Sequence, residues 1–155
     1  MVMRKISRSA LVPYSAAQMY TLVEDVESYP DFLPWCSDAE LHWREGDVLE
    51  GSVEMHRAGL RRRFRTRNTM RQDEVIDMTL VDGPFSHLSG GWHFRALGTA
   101  GCKVSLDMEF EVKSRATDRL LGHYFEEICN SLVDAFVRRA GEIYTTTGDG
   151  SDGPD

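Results

Sequence analysis

The sequence of 155 residues predicts an α+β fold, in which a curved antiparallel sheet of about seven strands wraps around one long C-terminal helix. The helix is the first observation. Between Thr117 and Tyr144 the apolar residues come in pairs spaced by four: Leu120 with Leu121, Tyr124 with Phe125, Ile128 with Cys129, Leu132 with Val133, Phe136 with Val137. A helix turns every ~3.6 residues, so pairs repeating every four drift around the cylinder and make a broad, rotating apolar band. A curved sheet needs so wide a band and a flat partner does not. The second observation is a run of strand-like segments over residues 39 to 112, joined by short turns that favour antiparallel pairing. The third is length: about 27 helical residues rise roughly 40 Å, enough to cross a small domain.

The elements follow in order. Residues 5 to 12 read as a first strand stopped by Pro13. Ser15 with Gln18 forms a capping box that opens a helix whose apolar face is Met19, Tyr20, Leu22, Val23 and Val26. Tyr29 to Cys36 cannot continue that helix, because Pro30 and Pro34 remove donors and restrict their predecessors. A short helical turn or tight loop is expected there, giving one or two short helices after the first strand. Val104, Leu106, Met108, Phe110 and Val112 alternate strictly with polar residues, the clearest half-buried strand in the chain. Ile76, Met78 and Leu80 alternate likewise, as do Trp92 and Phe94. Phe64, Thr66, Asn68 and Met70 share one face of another strand, with Arg61, Arg63, Arg65 and Arg67 on the other. Turn signals at Glu45-Gly46-Asp47, Ala58-Gly59, Gln72-Asp73, Asp82-Gly83-Pro84 and Gly98 to Gly101 divide these runs. One domain is expected over residues 1–144, and residues 145–155, which have no apolar residue, are expected as a disordered acidic tail.

Composition limits the function. Apolar residues at 41% and charged residues at 28% suffice for a real core. A net charge of −7 excludes general affinity for nucleic acid. Cys36, Cys102 and Cys129 have neither a CxxC pair nor metal-ligand spacing, and read as reduced, mostly buried thiols of a cytoplasmic protein. The N-terminus carries no signal-peptide pattern, and no segment is apolar enough to span a membrane. No catalytic constellation, phosphate loop or nucleophile elbow is present. His123 and Glu127 lie one helical turn apart, a spacing that permits a metal pair but is far more common on a solvated helix face; no metal site is expected.

Two features stand out. The stretch YPDFLPWC and the stretch Gly83 to Phe94 are aromatic where loops are usually polar. Phe32, Trp35, Phe85 and Trp92 therefore either frame the mouth of a cavity or plug the open end of the sheet as core. Seven arginines and no acid lie between Arg57 and Arg71, in an acidic chain. The stripe Arg61, Arg63, Arg65, Arg67 either contacts RNA phosphates or anionic lipid heads, or is answered by Glu50, Glu54, Glu74 and Asp77 on adjacent strands.

Asp25-Val26, Tyr29-Pro30 and Phe32-Leu33-Pro34-Trp35-Cys36 resemble a signature of the coenzyme Q-binding proteins of the START-like (helix-grip, polyketide cyclase-like) superfamily. The bacterial members of that family are called ribosome association toxins. Phe64, Thr66 and Asn68 match a strand motif of the family, and Leu80, Gly83-Pro84-Phe85, Leu88, Gly90, Trp92 and Phe94 match its second signature. Val133 to Phe136, Arg139-Ala140 and Tyr144 match its closing helix, so the resemblance covers residues 4 to 144. It implies a sheet gripping the last helix over an apolar cavity, lined by Phe32, Leu33, Trp35, Pro84, Phe85, Trp92, Phe94, Phe110, Phe125, Ile128, Leu132 and Phe136. Ubiquinone or a similar polyisoprenoid is the implied ligand, carried without catalysis in support of respiration, with no required cofactor. Ten buried tail carbons would contribute on the order of 8 kcal/mol before entropy losses. Asn68, Thr66 and His93 are the candidate head-group partners. Two alternatives are a ribosome association toxin that blocks subunit joining, and a cyclase- or hydrolase-type enzyme using the same cavity. The location expected is cytoplasmic, with peripheral contact at the inner membrane.

Overall fold

The computed structural model describes residues 3–57, 59–114, 116 and 118–147. Strand β1 (Arg4–Val12) is followed by helix α1 (Ala16–Glu24) and a single 3-10 helix, Val26–Asp31. Six strands follow: β2 (Cys36–Glu45), β3 (Val48–Arg57), β4 (Leu60–Arg71), β5 (Val75–Asp82), β6 (Phe85–Ala96) and β7 (Cys102–Val112). A π-helical turn, Asp118–Gly122, leads into α2 (His123–Thr147). The seven strands form one curved antiparallel sheet in the order β1-β7-β6-β5-β4-β3-β2, so the first strand closes on the last.

The capping box is present in full. Ser15 Oγ accepts from the Gln18 N–H at 3.0 Å, and Gln18 Oε1 accepts from the Ser15 N–H at 2.9 Å. Val26, expected on the face of α1, instead opens the 3-10 helix. Pro30 lies inside that tighter turn, where its missing N–H costs no α-helical bond. β2 starts at Cys36, within the stretch read as turn or loop. Its register against β3 slips between Cys36 and Asp38 and again between Leu41 and Trp43, and such bulges bend a strand and increase its twist.

At the β5–β6 turn Gly83 has φ +153°, and a Cβ there would stand 2.7 Å from the Cβ of Phe64. Only glycine lets this turn press against the inner face of β4.

α2 crosses the concave face. Its expected start at Thr117 lies outside the described residues, as do 148–155 of the expected tail. The helix itself runs past Tyr144 to Thr147. Leu120, expected in the apolar band, is 70% exposed, while Leu121 is fully buried. The cause is the π-helical turn: i→i+5 bonding widens the turn and rotates Leu120 off the inward face. Arg8 Nε donates to Asn130 Oδ1 at 3.0 Å and Tyr144 Oη to the Gln18 carbonyl at 2.9 Å, tying α2 to β1 and α1.

Candidate functional site: an apolar hollow under the terminal helix

Between α2 and the sheet lies an apolar hollow of about 80 Å³. The sheet contributes Gly51 and Val53 of β3, Phe64, Thr66 and Asn68 of β4, Met78 of β5, Leu88 and Trp92 of β6, and Met108 of β7. Helix α2 contributes Phe125, Ile128, Cys129, Leu132 and Phe136, and the segment after α1 contributes Val26, Tyr29 and Trp35. Alternation places these side chains. On β4 the even residues Phe64, Thr66 and Asn68 face inward, while the odd arginines face the convex side.

Of the cavity residues expected from the sequence, Trp35, Trp92, Phe125, Ile128, Leu132 and Phe136 lie in this lining. Phe32, Leu33, Pro84, Phe85, Phe94 and Phe110 do not. Phe85 and Phe110 form a second layer behind Phe125, with ring centroids 4.8 and 4.7 Å from it. Phe85 is 1% exposed, so it is core and not a gate. Leu33 is buried as well, and Phe94 stacks on Trp92 at 6.3 Å away from the hollow. Phe32 sits outside the hollow with its ring against Phe136 at 5.2 Å and the Arg139 guanidinium over it. Pro84, at the β5–β6 turn, offers its carbonyl to the Lys113 N–H at 3.0 Å. His93 is exposed on the outer side of β6, which removes it as a head-group partner.

Most lining residues not anticipated as such come from the middle of strands, while Val26 and Tyr29 come from the 3-10 helix and Cys129 from α2. Gly51 was legible: an isolated glycine within a strand pattern often marks close approach. A Cβ at Gly51 would lie 3.4 Å from Val26 Cγ1. Cys129 gave no signal beyond its place in the apolar band.

The hollow has little polarity. The Tyr29 hydroxyl donates to the Val23 carbonyl at 2.5 Å. Burial pushes both the Tyr29 hydroxyl and the Cys129 thiol upward, so each stays protonated and neutral. Thr66 Oγ1 donates to Asn68 Oδ1 at 2.9 Å. Among the described residues no lysine, arginine, aspartate, glutamate or histidine lines the space. Among the described residues no cluster is suited to hold a metal ion. His123 and Glu127 meet at 3.5 Å on the exposed face of α2.

The arginine stripe is engaged. Arg61 pairs with Glu54 at 2.9 Å, Arg63 with Asp38, and Arg65 and Arg67 with opposite oxygens of Glu50. Glu50 is 4% exposed, although it lies on the convex face, because the arginines cover it. The counter-charges expected on β3 are therefore present; Asp38 of β2 joins them, and Glu74 pairs with Arg71 at 3.9 Å. Of the two readings of the stripe, the ion pairs are those of a face answered by neighbouring strands: cross-strand geometry puts a carboxylate within reach of each guanidinium.

A curved sheet closed on a terminal helix over an apolar hollow is the START-like arrangement. The chain matches the family described as "Polyketide cyclase / dehydrase and lipid transport" over residues 12–137, and it belongs to that family. It is 42% identical over 144 residues to the ribosome association toxin RatA of Escherichia coli (strain K12), covering 93% of this chain and 91% of that protein. It is 29% identical over 143 residues to coenzyme Q-binding protein COQ10 homolog B, mitochondrial, of Xenopus laevis, covering 89% of this chain and 58% of that protein. The Zhui aromatase/cyclase of Streptomyces sp. R1128 superposes with a TM-score of 0.80 at 19% identity, covering 97% of this chain and all of that one, a likeness of fold.

Proposed function

We propose that the protein binds ubiquinone or a similar polyisoprenoid lipid in the hollow under α2 and supports respiratory electron transport as a non-enzymatic carrier or chaperone. The observation that carries this reading is a mainly apolar space lined, among the described residues, by no charged side chain. Such a space suits a neutral, hydrophobic guest, because moving a charge into it is costly. The name of the COQ10 relative supports the same guest. At about 80 Å³ the hollow is smaller than the roughly 300–1,000 Å³ of ligand pockets, so a tailed guest enters with displacement of side chains. Trp35 and Leu132 are among the lining side chains that are only partly buried, and they are the ones proposed to move. The protein works in the cytoplasm and exchanges lipid by peripheral contact at the inner membrane.

The test is mass spectrometry of organic extracts from the purified protein, beside the variant Ile128→Trp. That substitution fills the hollow and, as overpacking, costs about 1–3 kcal/mol of stability. The expected outcome is a polyisoprenoid quinone in the native extract and its loss from the variant. A native protein that yields no such lipid, and takes none up from micelles, would falsify the reading.

A second reading, association with a ribosomal subunit that blocks subunit joining, is favoured by the 42% identity to RatA along nearly the whole chain. An enzymatic role has less support. The described lining brings no acid and base together, and the likeness to an aromatase/cyclase is one of fold.

A further inference from the structure

The hollow is apolar, yet two side chains of its wall, Asn68 and Trp92, carry hydrogen-bond donors with no acceptor among the described residues. Asn68 is 5% exposed, and its Oδ1 is occupied by the Thr66 hydroxyl at 2.9 Å. Its Nδ2 group has no acceptor among the described residues. Trp92 is 2% exposed, and its indole N–H likewise finds none. Buried polar groups are bonded in the great majority of cases, and each exception asks for a reason. The other polar groups of the wall are used or weak: the Tyr29 hydroxyl is given to the Val23 carbonyl, and Cys129 offers only a thiol.

Position adds to this. Asn68 faces Met78 across the β4–β5 pairing, and Trp92 faces Ile76 across β5–β6. Both side chains line the hollow from strands on either side of β5. A ring lodged there lies between Asn68 and Trp92. The wall supplies donors and no charge, so the guest must supply acceptors and no charge.

We propose that Asn68, oriented by Thr66, and the indole N–H of Trp92 are the head-group donors of the hollow, so that its guest is an uncharged ring compound bearing carbonyl oxygens. Fatty acids and phospholipids are excluded by the lack of a cation in the wall, and a plain hydrocarbon leaves both donors unmet. This rests on the lipid-binding reading above and adds the chemistry of the head group.

The experiment is calorimetric titration of the full chain with three probes: a ubiquinone carrying two isoprene units, a benzene ring carrying the same tail, and decanoate. The native protein should bind the quinone more tightly than either control. Asn68→Leu should weaken quinone binding roughly 3- to 10-fold, as expected for one lost hydrogen bond, and leave binding of the tailed benzene unchanged or improved. Trp92→Phe, which keeps a ring and removes the N–H, should act in the same direction. If Asn68→Leu does not fold by circular dichroism, Thr66→Val together with Trp92→Phe makes the same comparison. Equal quinone affinity in native protein and folded variants overturns the donor assignment and leaves the lipid reading standing. Parallel loss of quinone and tailed benzene also overturns it, marking Asn68 as structural. If the native protein binds none of the three probes, the lipid reading itself fails and the donor assignment falls with it.

Discussion

Phe85 and Glu50 show how burial revises a residue's meaning. The sequence allowed Phe85 to gate a cavity, where a charge would block a tail at small cost to folding. Its ring lies within 5.6–5.9 Å of Phe64 and Phe110, tucked behind Phe125 and away from the hollow. Phe85→Asp should therefore collapse stability by more than the ~3–5 kcal/mol typical of Phe→Ala in a core. Thermal unfolding checks this, and a variant that stays as stable as the native chain would restore the gate. Glu50 is a buried carboxylate held ionised. The Arg67 hydrogen bond, then that of Arg65, keeps its pKa below the ordinary value of 4.5 against the opposing effect of burial. A depressed carboxylate pKa gives stability that is present above 4.5 and lost as pH falls through the lower, folded value. Glu50→Gln should lower the melting temperature at pH 7 and flatten its fall in acid; Tm measured between pH 3 and 7 on both proteins tests it. An unchanged acid limb would remove Glu50 from the account.

At the scale of elements, capping chemistry decided where α1 starts and residue periodicity decided the faces. The reciprocal Ser15–Gln18 bonds start α1, the helix whose Gln18 carbonyl receives the Tyr144 hydroxyl of α2. Ser15→Ala should cost about 1 kcal/mol, the usual loss for an N-cap, readable as a lower midpoint in urea with unchanged slope. A loss well above 2 kcal/mol would mean that α1 also holds α2 in place. The strand alternation that marks β7 also marks β4, which is why the residue pattern alone puts Thr66 and Asn68 on one face with Phe64. The π-helical turn before α2 leaves no such mark. Its sequence, Asp118 to Gly122, differs little from an ordinary helical start, yet within it exposed Leu120 is followed by fully buried Leu121.

For the whole molecule, the convex face separates the two functional readings. The stripe of arginines is nearly neutralised by Asp38, Glu50 and Glu54, and the exposed pairs Arg61–Glu54 and Arg63–Asp38 contribute only about 0–1 kcal/mol each. If ribosomal subunits bind through the stripe, those pairs must open, and log affinity should fall against log salt with a slope of roughly −3 for four phosphate contacts. Sedimentation with subunits at two salt concentrations measures this. Reversing Arg61 and Arg63 to Glu should then abolish the association and leave lipid capture intact, since both lie across the sheet from the hollow. Salt-independent association, or insensitivity to the reversal, would place the ribosomal surface elsewhere. Three buried cysteines fit a chain that keeps its thiols out of reach; Cys36 is pushed up to about 11 by burial.

Periodicity by itself determined the α+β class, the antiparallel meander, the terminal helix and the two faces of each strand, because alternation and helical drift are local consequences of backbone geometry. Which aromatics touch the hollow was decided only by the curved sheet and the helix across it. Phe94 and Phe110 obey the same alternation as Trp92, and Phe85 turns inward through the bulge between Phe85 and His87, yet the path of α2 sets the Phe125 ring against Phe85 and Phe110 on the side of the cavity. The carboxylates on the arginine stripe likewise depended on register, since a one-residue slip of β3 against β4 would have turned Glu50 inward and left Arg65 and Arg67 bare.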